Sequence, residues 1–333
     1  MCPNDFFEDF TANGRLLDYD EHGLSWVKEK VNRLFPGANL CKPMIASGFY
    51  GAYFEEFDSW KAASPELFKD LTSHQGCLIE SNDFIASSCH FESSETILSW
   101  SGEPYPSKEL SLFIIDRSLI LESIDSFYAL LVGDEQEIPN VQESSLVRFH
   151  EEFFASLKEE YESPISQESK DYIENLLNRE DPNGWIKNFV ESVTIHFLMG
   201  HEFGHYCYRS PNKHLFEESL IKSSVFTKGN SSTLDNETEE IFCDLLGVSN
   251  CFFQQSHTLI LPSSVIVFVV VWLLSLIDSY HIKNKKLSEL MKIRIKAIGS
   301  SLENIERDVR LDRIHSRAVR AIPEIVQQYA KDK

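Results

Sequence analysis

This chain predicts an α+β fold, mostly helical, with a small antiparallel or mixed sheet upstream of one long apolar helix. Three observations carry that prediction. Short apolar runs of strand character (CLIES, DFIASSCHF, ETILSW and ELSLFII) cluster between Gly76 and Ile115, separated by polar turns. Farther on, apolar residues recur at helical spacing through several long segments. One of these, Trp185 to Tyr208, lacks proline and places Ile186, Phe189, Val190, Val193, Phe197 and Leu198 as a largely buried helix would. At 333 residues, 42% of them apolar, the chain can build one large core or two small ones. Residues 1–75 form an unassigned N-terminal segment, and residues 76–333 one domain, with strands in 76–115 and helices in 118–333.

Taken in order, Leu24, Val27, Val31, Leu34 and Phe35 predict an amphipathic helix ended by Pro36-Gly37. Pro43 to Trp60 is aromatic and glycine-containing and has no clear periodicity. After the strands, helices are expected over Ser118–Val132 and over Glu143–Tyr161, where Leu146, Phe149, Phe153 and Leu157 line one stripe. A short helix is expected at Tyr172–Asn178. Asp181-Pro182-Asn183-Gly184 turns the chain into the long helix, and Ser210-Pro211 stops it. Lys228 to Asn236 (KGNSSTLDN) is a polar loop, and Ser300-x-x-Glu303 resembles a capping box opening a C-terminal helix.

The long helix carries His201-Glu202-Phe203-Gly204-His205, an H-E-x-x-H set. Side chains four apart on a helix share a face, with Cβ atoms about 5–6 Å apart. Two imidazoles so placed can hold one zinc ion at about 2.0–2.1 Å each. Glu202 then sits beside the metal, placed to take a proton from a bound water. Gly204 costs about 1 kcal/mol of helix stability relative to alanine, which close packing under the metal would explain.

A zinc site needs a third protein ligand. The metzincin extension would place glycine and histidine three and six residues after His205, but those positions hold Tyr208 and Pro211. The alternative is a glutamate on a later helix with an aspartate four residues on. Glu240-Ile241-Phe242-Cys243-Asp244 supplies the only E-x-x-x-D pairing after His205. Glu240 is the expected ligand. Asp244, one turn on, can accept the N–H of a ligand histidine and fix its tautomer. Glu239 is the neighbour most easily confused with the ligand, but four residues after it stands Cys243.

The expected chemistry is peptide hydrolysis. Zinc lowers the pKa of its water to about 7 and polarises the scissile carbonyl. Glu202 moves the proton from water to the leaving amine. Candidates to stabilise the oxyanion come from the late segment DRIHSRAVRAI: His315, Arg320 and, more weakly, Arg317. Glu109–Ile115 is the strand expected to present a free edge to substrate backbone.

Whole-chain properties narrow the setting. The formal net charge is −21, which argues against nucleic acid as partner because phosphate attraction needs a basic face. Seven cysteines, no C-x-x-C and no secretory signal predict a reducing cytoplasm. Cys207 and Cys243, near the metal helices, read as packing residues. Leu259 to Ile277 carries no charge and precedes Lys283, Lys285, Lys286 and Lys292, the pattern of a membrane span. A helix start at Pro262-Ser263-Ser264 would leave about 14 apolar residues, a length that favours a buried core helix.

With HEFGH and a downstream E-x-x-x-D, the chain resembles the gluzincin metallopeptidases, a zincin-like class. More narrowly it resembles the Lit family of bacterial phage-exclusion peptidases, in the order strand (ELSLFII), helix, H-E-x-x-H helix, glutamate–aspartate helix, apolar helix and histidine–arginine segment (HSRAVRAI). The resemblance spans roughly Glu109 to Ile322. It implies one zinc ion held by His201, His205 and Glu240, Glu202 as base, and antiviral defence by cutting a cytoplasmic protein, in that family a translation elongation factor. Cys243 stands where the related pattern has alanine, and Ser316 where proline usually follows the histidine. Two other functions share the ligand set: a catalytically silent, zinc-stabilised binding or regulatory module, and a membrane-embedded zinc peptidase anchored through 259–277.

Overall fold

The computed structural model describes residues 39–40, 73–80, 86–92, 109–133, 136, 138, 140–178, 184–209, 236–253, 262–281, 288–302 and 311–330. The chain divides into two compact units, 1–119 and 120–333. The expected helix near Leu24, the Pro43–Trp60 stretch, the run ETILSW and the loop 228–235 lie outside the described residues.

Among its described residues the first unit holds four strands: β1 (Asn39–Leu40), β2 (Ser73–Glu80), β3 (Ala86–Glu92) and β4 (Glu109–Asp116). They pair in the order β1-β2-β4-β3. β2 runs parallel to β4 with Ser73 opposite Leu110, and β3 runs antiparallel to β4 with Ala86 opposite Ile115. β4 is therefore hydrogen-bonded on both sides. It has no free edge over this register, which overturns the expectation that it adds a substrate strand. Its apolar run identified a strand correctly, but the neighbours of a strand are set by non-local pairing.

The expected α+β class must also be corrected. The unit that carries the H-E-x-x-H motif is helical in every described element, with no strand among its described residues. The helices are α1 (Arg117–Val132), α2 (Glu143–Tyr161), α3 (Gln167–Leu177), α4 (Trp185–Arg209), α5 (Asn236–Phe253), α6 (Ser263–His281), α7 (Glu289–Leu302) and α8 (Leu311–Tyr329). Their apolar stripes bury against one another, so helix covers helix and no sheet is needed as the opposing layer.

α6 is the centre of this unit and packs against α8, α4, α2, α7 and α5. The apolar run that resembled a membrane span is used here as core. Among the described residues this is the one helix long and apolar enough to cross a membrane, and 83% of Ser263–Tyr280 is buried inside the fold. Phe268 and Trp272 of α6 meet Phe127, Phe149 and Phe153, with Phe153–Phe268 centroids 5.0 Å apart and Phe149 stacked on Phe153 at 5.7 Å. Each fully buried phenylalanine contributes about 1.5–3 kcal/mol of transfer free energy. These five aromatic side chains anchor α1, α2 and α6 together.

Both ends of α6 are held by buried carboxylates. Glu160, from the last turn of α2, accepts the backbone N–H of Ser263 at 2.6 Å and that of Ser264 at 2.9 Å, plus the Ser264 hydroxyl at 2.8 Å. An anion there meets the orphan N–H groups and positive end of the helix. Burial nevertheless pushes its carboxyl above the usual range, against the pull of the serine donors. At the other end Asp278 accepts the backbone N–H and hydroxyl of Ser288, whose own hydroxyl caps α7 by accepting from Met291 N.

Two boundaries differ from expectation. α3 begins five residues earlier than Tyr172, because the Ser166 hydroxyl accepts from Ser169 N and caps the helix there. Ser300 opens no helix. It lies in α7 and its hydroxyl donates back to the carbonyl of Lys296, as mid-helix serines commonly do.

Candidate metal centre

The centre is built where α4, α5 and α7 meet. α4 and α5 approach almost backbone to backbone along a seam of small residues. A Cβ on Gly204 would lie 2.7 Å from Cys243 Cα, one on Gly200 2.8 Å from Gly247 Cα, and one on Gly247 2.7 Å from the Phe197 carbonyl. The glycine inside HEFGH is there because α5 occupies the space of its side chain. Asn250 Nδ2 then donates to the His196 carbonyl at 2.9 Å, locking the register between the helices.

That register brings three side chains together. His201, His205 and Glu240 offer ligand atoms that all lie within 4.8 Å of one another, so the group could hold a metal ion. The two imidazoles are 5.0 Å apart between centroids and nearly perpendicular. Glu240 Oε2 is 3.7 Å from His201 Nε2, and Oε1 is 3.6 Å from His205 Nε2. Ligand atoms at about 2.1 Å from a tetrahedral metal would lie about 3.4 Å apart, and both glutamate–imidazole distances come within a few tenths of an ångström of that value.

The far nitrogen of each imidazole is held by a carboxylate. His201 Nδ1 donates to Asp244 Oδ1 at 3.0 Å, and His205 Nδ1 donates to Glu239 Oε1 at 2.9 Å. An ionised carboxylate can only accept, so each ring carries a proton on Nδ1 and, when neutral, turns the Nε2 lone pair toward Glu240. Helix α5 thus supplies, within six residues, one candidate oxygen ligand and both orienting groups.

Glu202 is 1% exposed, with Oε1 4.0 Å from His201 Nε2. Arg294, from α7, closes the cluster. Its Nε and Nη2 grip Asp244 at 2.6 and 2.7 Å, and its Nη1 reaches Glu240 Oε2 at 3.1 Å. Electrostatics follow from this layout. Burial alone would raise Asp244, but Arg294 and His201 outweigh it and hold the carboxyl below its ordinary range. Burial opposes the guanidinium charge, yet Asp244 and Glu240 more than restore it. His201 is disfavoured by burial as a cation but held above its ordinary pKa by Asp244 and Glu202, whereas burial and the neighbouring His201 push His205 down. Cys243, fully buried, is a neutral thiol: burial, then Glu240, Asp244, Glu202 and Glu239, push its pKa well up.

The other sequence candidates lie elsewhere. His315 is buried on α8 with Nε2 2.9 Å from the Ile295 carbonyl, its ring filling the space over Gly299. Arg320, its side chain 57% exposed, forks onto Glu152 of α2 at 2.9 and 3.0 Å, and Arg317 pairs with Glu159 at 2.8 Å. These bonds serve the docking of α8 on α2 and α7, not the ligand group. The side chain of Cys207 is outside the described residues. Sequence reading passed over two functional neighbours, the orienting role of Glu239 and the whole of Arg294. The signal for Arg294 was present: it stands on the stripe Met291, Ile295, Ile298, which is otherwise buried and apolar.

No family model, curated protein or solved structure matches this chain.

Proposed function

We propose that the protein is a zinc-dependent endopeptidase that cleaves a cytoplasmic protein. The observation that carries this reading is the convergence of His201, His205 and Glu240, with each imidazole oriented through Nδ1 by a carboxylate and with Glu202 buried beside them. Two imidazoles and one carboxylate are the donor set of catalytic rather than structural zinc, which is usually closed by four protein ligands. When bound, zinc would lower the pKa of a coordinated water to about 7 and polarise a carbonyl.

The chain's own groups supply the rest. Glu202 accepts the proton of the attacking water and returns it to the leaving amine. Asp244 and Glu239 keep both histidines in the tautomer that presents Nε2. The resemblance of HEFGH and Glu240-x-x-x-Asp244 to the gluzincins supports the reaction class. The narrower resemblance to the Lit peptidases suggests phage defence and a translation factor as substrate. Burial of α6 among its neighbours supports its use as a core helix of that peptidase rather than as an anchor.

Glu202→Gln tests the reading against a silent zinc-binding module. Wild type and variant, expressed in a bacterial host, should bind zinc equally, while new protein N-termini appear only with wild type. Identical N-terminal profiles from the two would remove the hydrolytic mechanism.

A further inference from the structure

We propose that Arg294 is a positioning residue of the metal centre, one guanidinium from α7 that fixes both the ligand carboxylate Glu240 and the carboxylate Asp244 that orients His201. The inference rests on the reading of His201, His205 and Glu240 as metal ligands.

Its geometry uses the whole donor fork. The Nε–Nη2 edge lies side-on to Asp244, one nitrogen to each oxygen, at 2.6 and 2.7 Å. Asp244 Oδ1 is shared, taking Nη2 of Arg294 and Nδ1 of His201. The remaining nitrogen, Nη1, lies 3.1 Å from Glu240 Oε2. A rotation of Arg294 would therefore release the orientation of a ligand histidine and of the ligand carboxylate together. An ammonium cannot reproduce this, because it is a point charge without a planar fork.

The charge distribution argues the same way. Glu202, Glu239, Glu240 and Asp244 gather round two histidines, and Arg294 is the guanidinium that pairs with two of these acids. Asp244 is 0% exposed and the Arg294 side chain 11%. Removing one member of such a pair leaves a buried charge uncompensated, which proteins tolerate poorly. A surface role does not account for an arginine on a buried helix stripe with all three of its nitrogens engaged by two acids of the centre.

The test measures zinc affinity by chelator competition, and the absorption spectrum of the cobalt(II)-substituted protein, in wild type, Arg294→Met, Arg294→Lys and Arg320→Met. Loss of partners just outside the ligands typically weakens metal binding about 10–100-fold, and Arg294→Met should fall in that range with an altered cobalt spectrum. Arg294→Lys, which keeps the buried charge, should fall between it and wild type. Arg320→Met, which breaks only an exposed pair, should match wild type. A merely structural role would leave the cobalt spectrum of the folded protein unchanged. Wild-type affinity and spectrum in Arg294→Met would overturn the inference while leaving the metal site intact. If Arg294→Met does not fold, wild-type values in Arg294→Lys overturn it equally. Failure of wild type to bind zinc or cobalt would overturn the metal reading itself, and this inference with it.

Discussion

Glu239 Oε1 lies 2.9 Å from His205 Nδ1, while the adjacent Glu240 faces the opposite nitrogen of the same ring, with Oε1 3.6 Å from Nε2. Consecutive residues on a helix point about 100° apart, so two neighbouring glutamates can reach round one imidazole and address its two ends. One end is then held in orientation, and the other faces the group that could hold a metal ion. The spacing of glutamate and aspartate in the sequence selected Glu240 over Glu239 as ligand, and the same spacing concealed that Glu239 has a task of its own.

Removing these orienting acids should weaken metal binding unequally. Glu239→Ala should cost about 10–100-fold in zinc affinity, and Glu239→Gln less than about tenfold, since its amide oxygen can still accept from Nδ1. Asp244→Ala should cost more and also destabilise the fold by about 3–5 kcal/mol, because Arg294 would be left buried without its fork partner. Chelator competition and urea unfolding measure the two effects. Equal losses at 239 and 244 would contradict the arrangement around Arg294.

Gly204→Ala separates packing from propensity. In an isolated helix the change gains about 1 kcal/mol. Here the new Cβ would come within 2.7 Å of Cys243 Cα, backbone of the neighbouring helix that cannot step aside. Overpacking of this kind costs about 1–3 kcal/mol. Urea unfolding should show a net loss, and a more stable variant would mean that α4 and α5 are farther apart than described.

Glu160 makes a pH-dependent prediction. Its folded-state pKa is raised, chiefly by burial, so the native state binds this proton more tightly than the unfolded chain does. Its contribution to stability is then fully present below the ordinary carboxylate range and is lost as pH rises through the elevated folded value. Glu160→Gln lacks this titration. Between pH 4 and pH 7, wild type should therefore lose stability relative to the variant, measured by denaturant unfolding at both. A gap that moves in wild type's favour as pH rises would show that the Ser263 and Ser264 donors outweigh burial.

Local periodicity made α2 and α4 legible. Leu146, Phe149, Phe153 and Leu157 mark a stripe that matches the observed Glu143–Tyr161, and HEFGH sits in a helix with no proline to interrupt it. Glu240 and Asp244 were visible for the same reason, four residues apart on one face. What was missed is non-local. Arg294 meets Asp244 across 50 residues of chain, β4 lies between partners that its own sequence does not specify, and the fold class turned on which elements share a unit. Ser300 misled because a capping-box pattern is equally compatible with a serine that bonds back to the preceding turn.

His315 and Arg320 were expected near the reacting carbonyl, and their partners predict different outcomes for the two. Arg320→Ala removes an exposed pair with Glu152, of the kind worth about 0–1 kcal/mol, and should leave peptide cleavage unchanged. His315→Ala empties the space over Gly299 and removes a buried hydrogen bond to the Ile295 carbonyl. It should lower stability by about 2–3 kcal/mol through the lost packing and the lost hydrogen bond. Cleavage assayed well below the unfolding temperature should persist in the folded fraction. A cleavage defect in Arg320→Ala with undiminished stability would instead place that guanidinium at the substrate.

Zinc should stabilise the fold in proportion to its occupancy. A ligand that binds only the native state adds about 4 kcal/mol at a thousand times its dissociation constant. Wild type and Glu202→Gln should both show this gain in thermal unfolding with zinc, since Glu202 is assigned to the proton and not to the metal. Glu240→Gln and His205→Gln should show most of it lost, each having surrendered one of the three donors that converge in the native state. The contrast between Glu202 and Glu240 is the decisive part. If Glu202→Gln loses the zinc-dependent gain as fully as Glu240→Gln, Glu202 is a ligand, and the proton must be carried by another group.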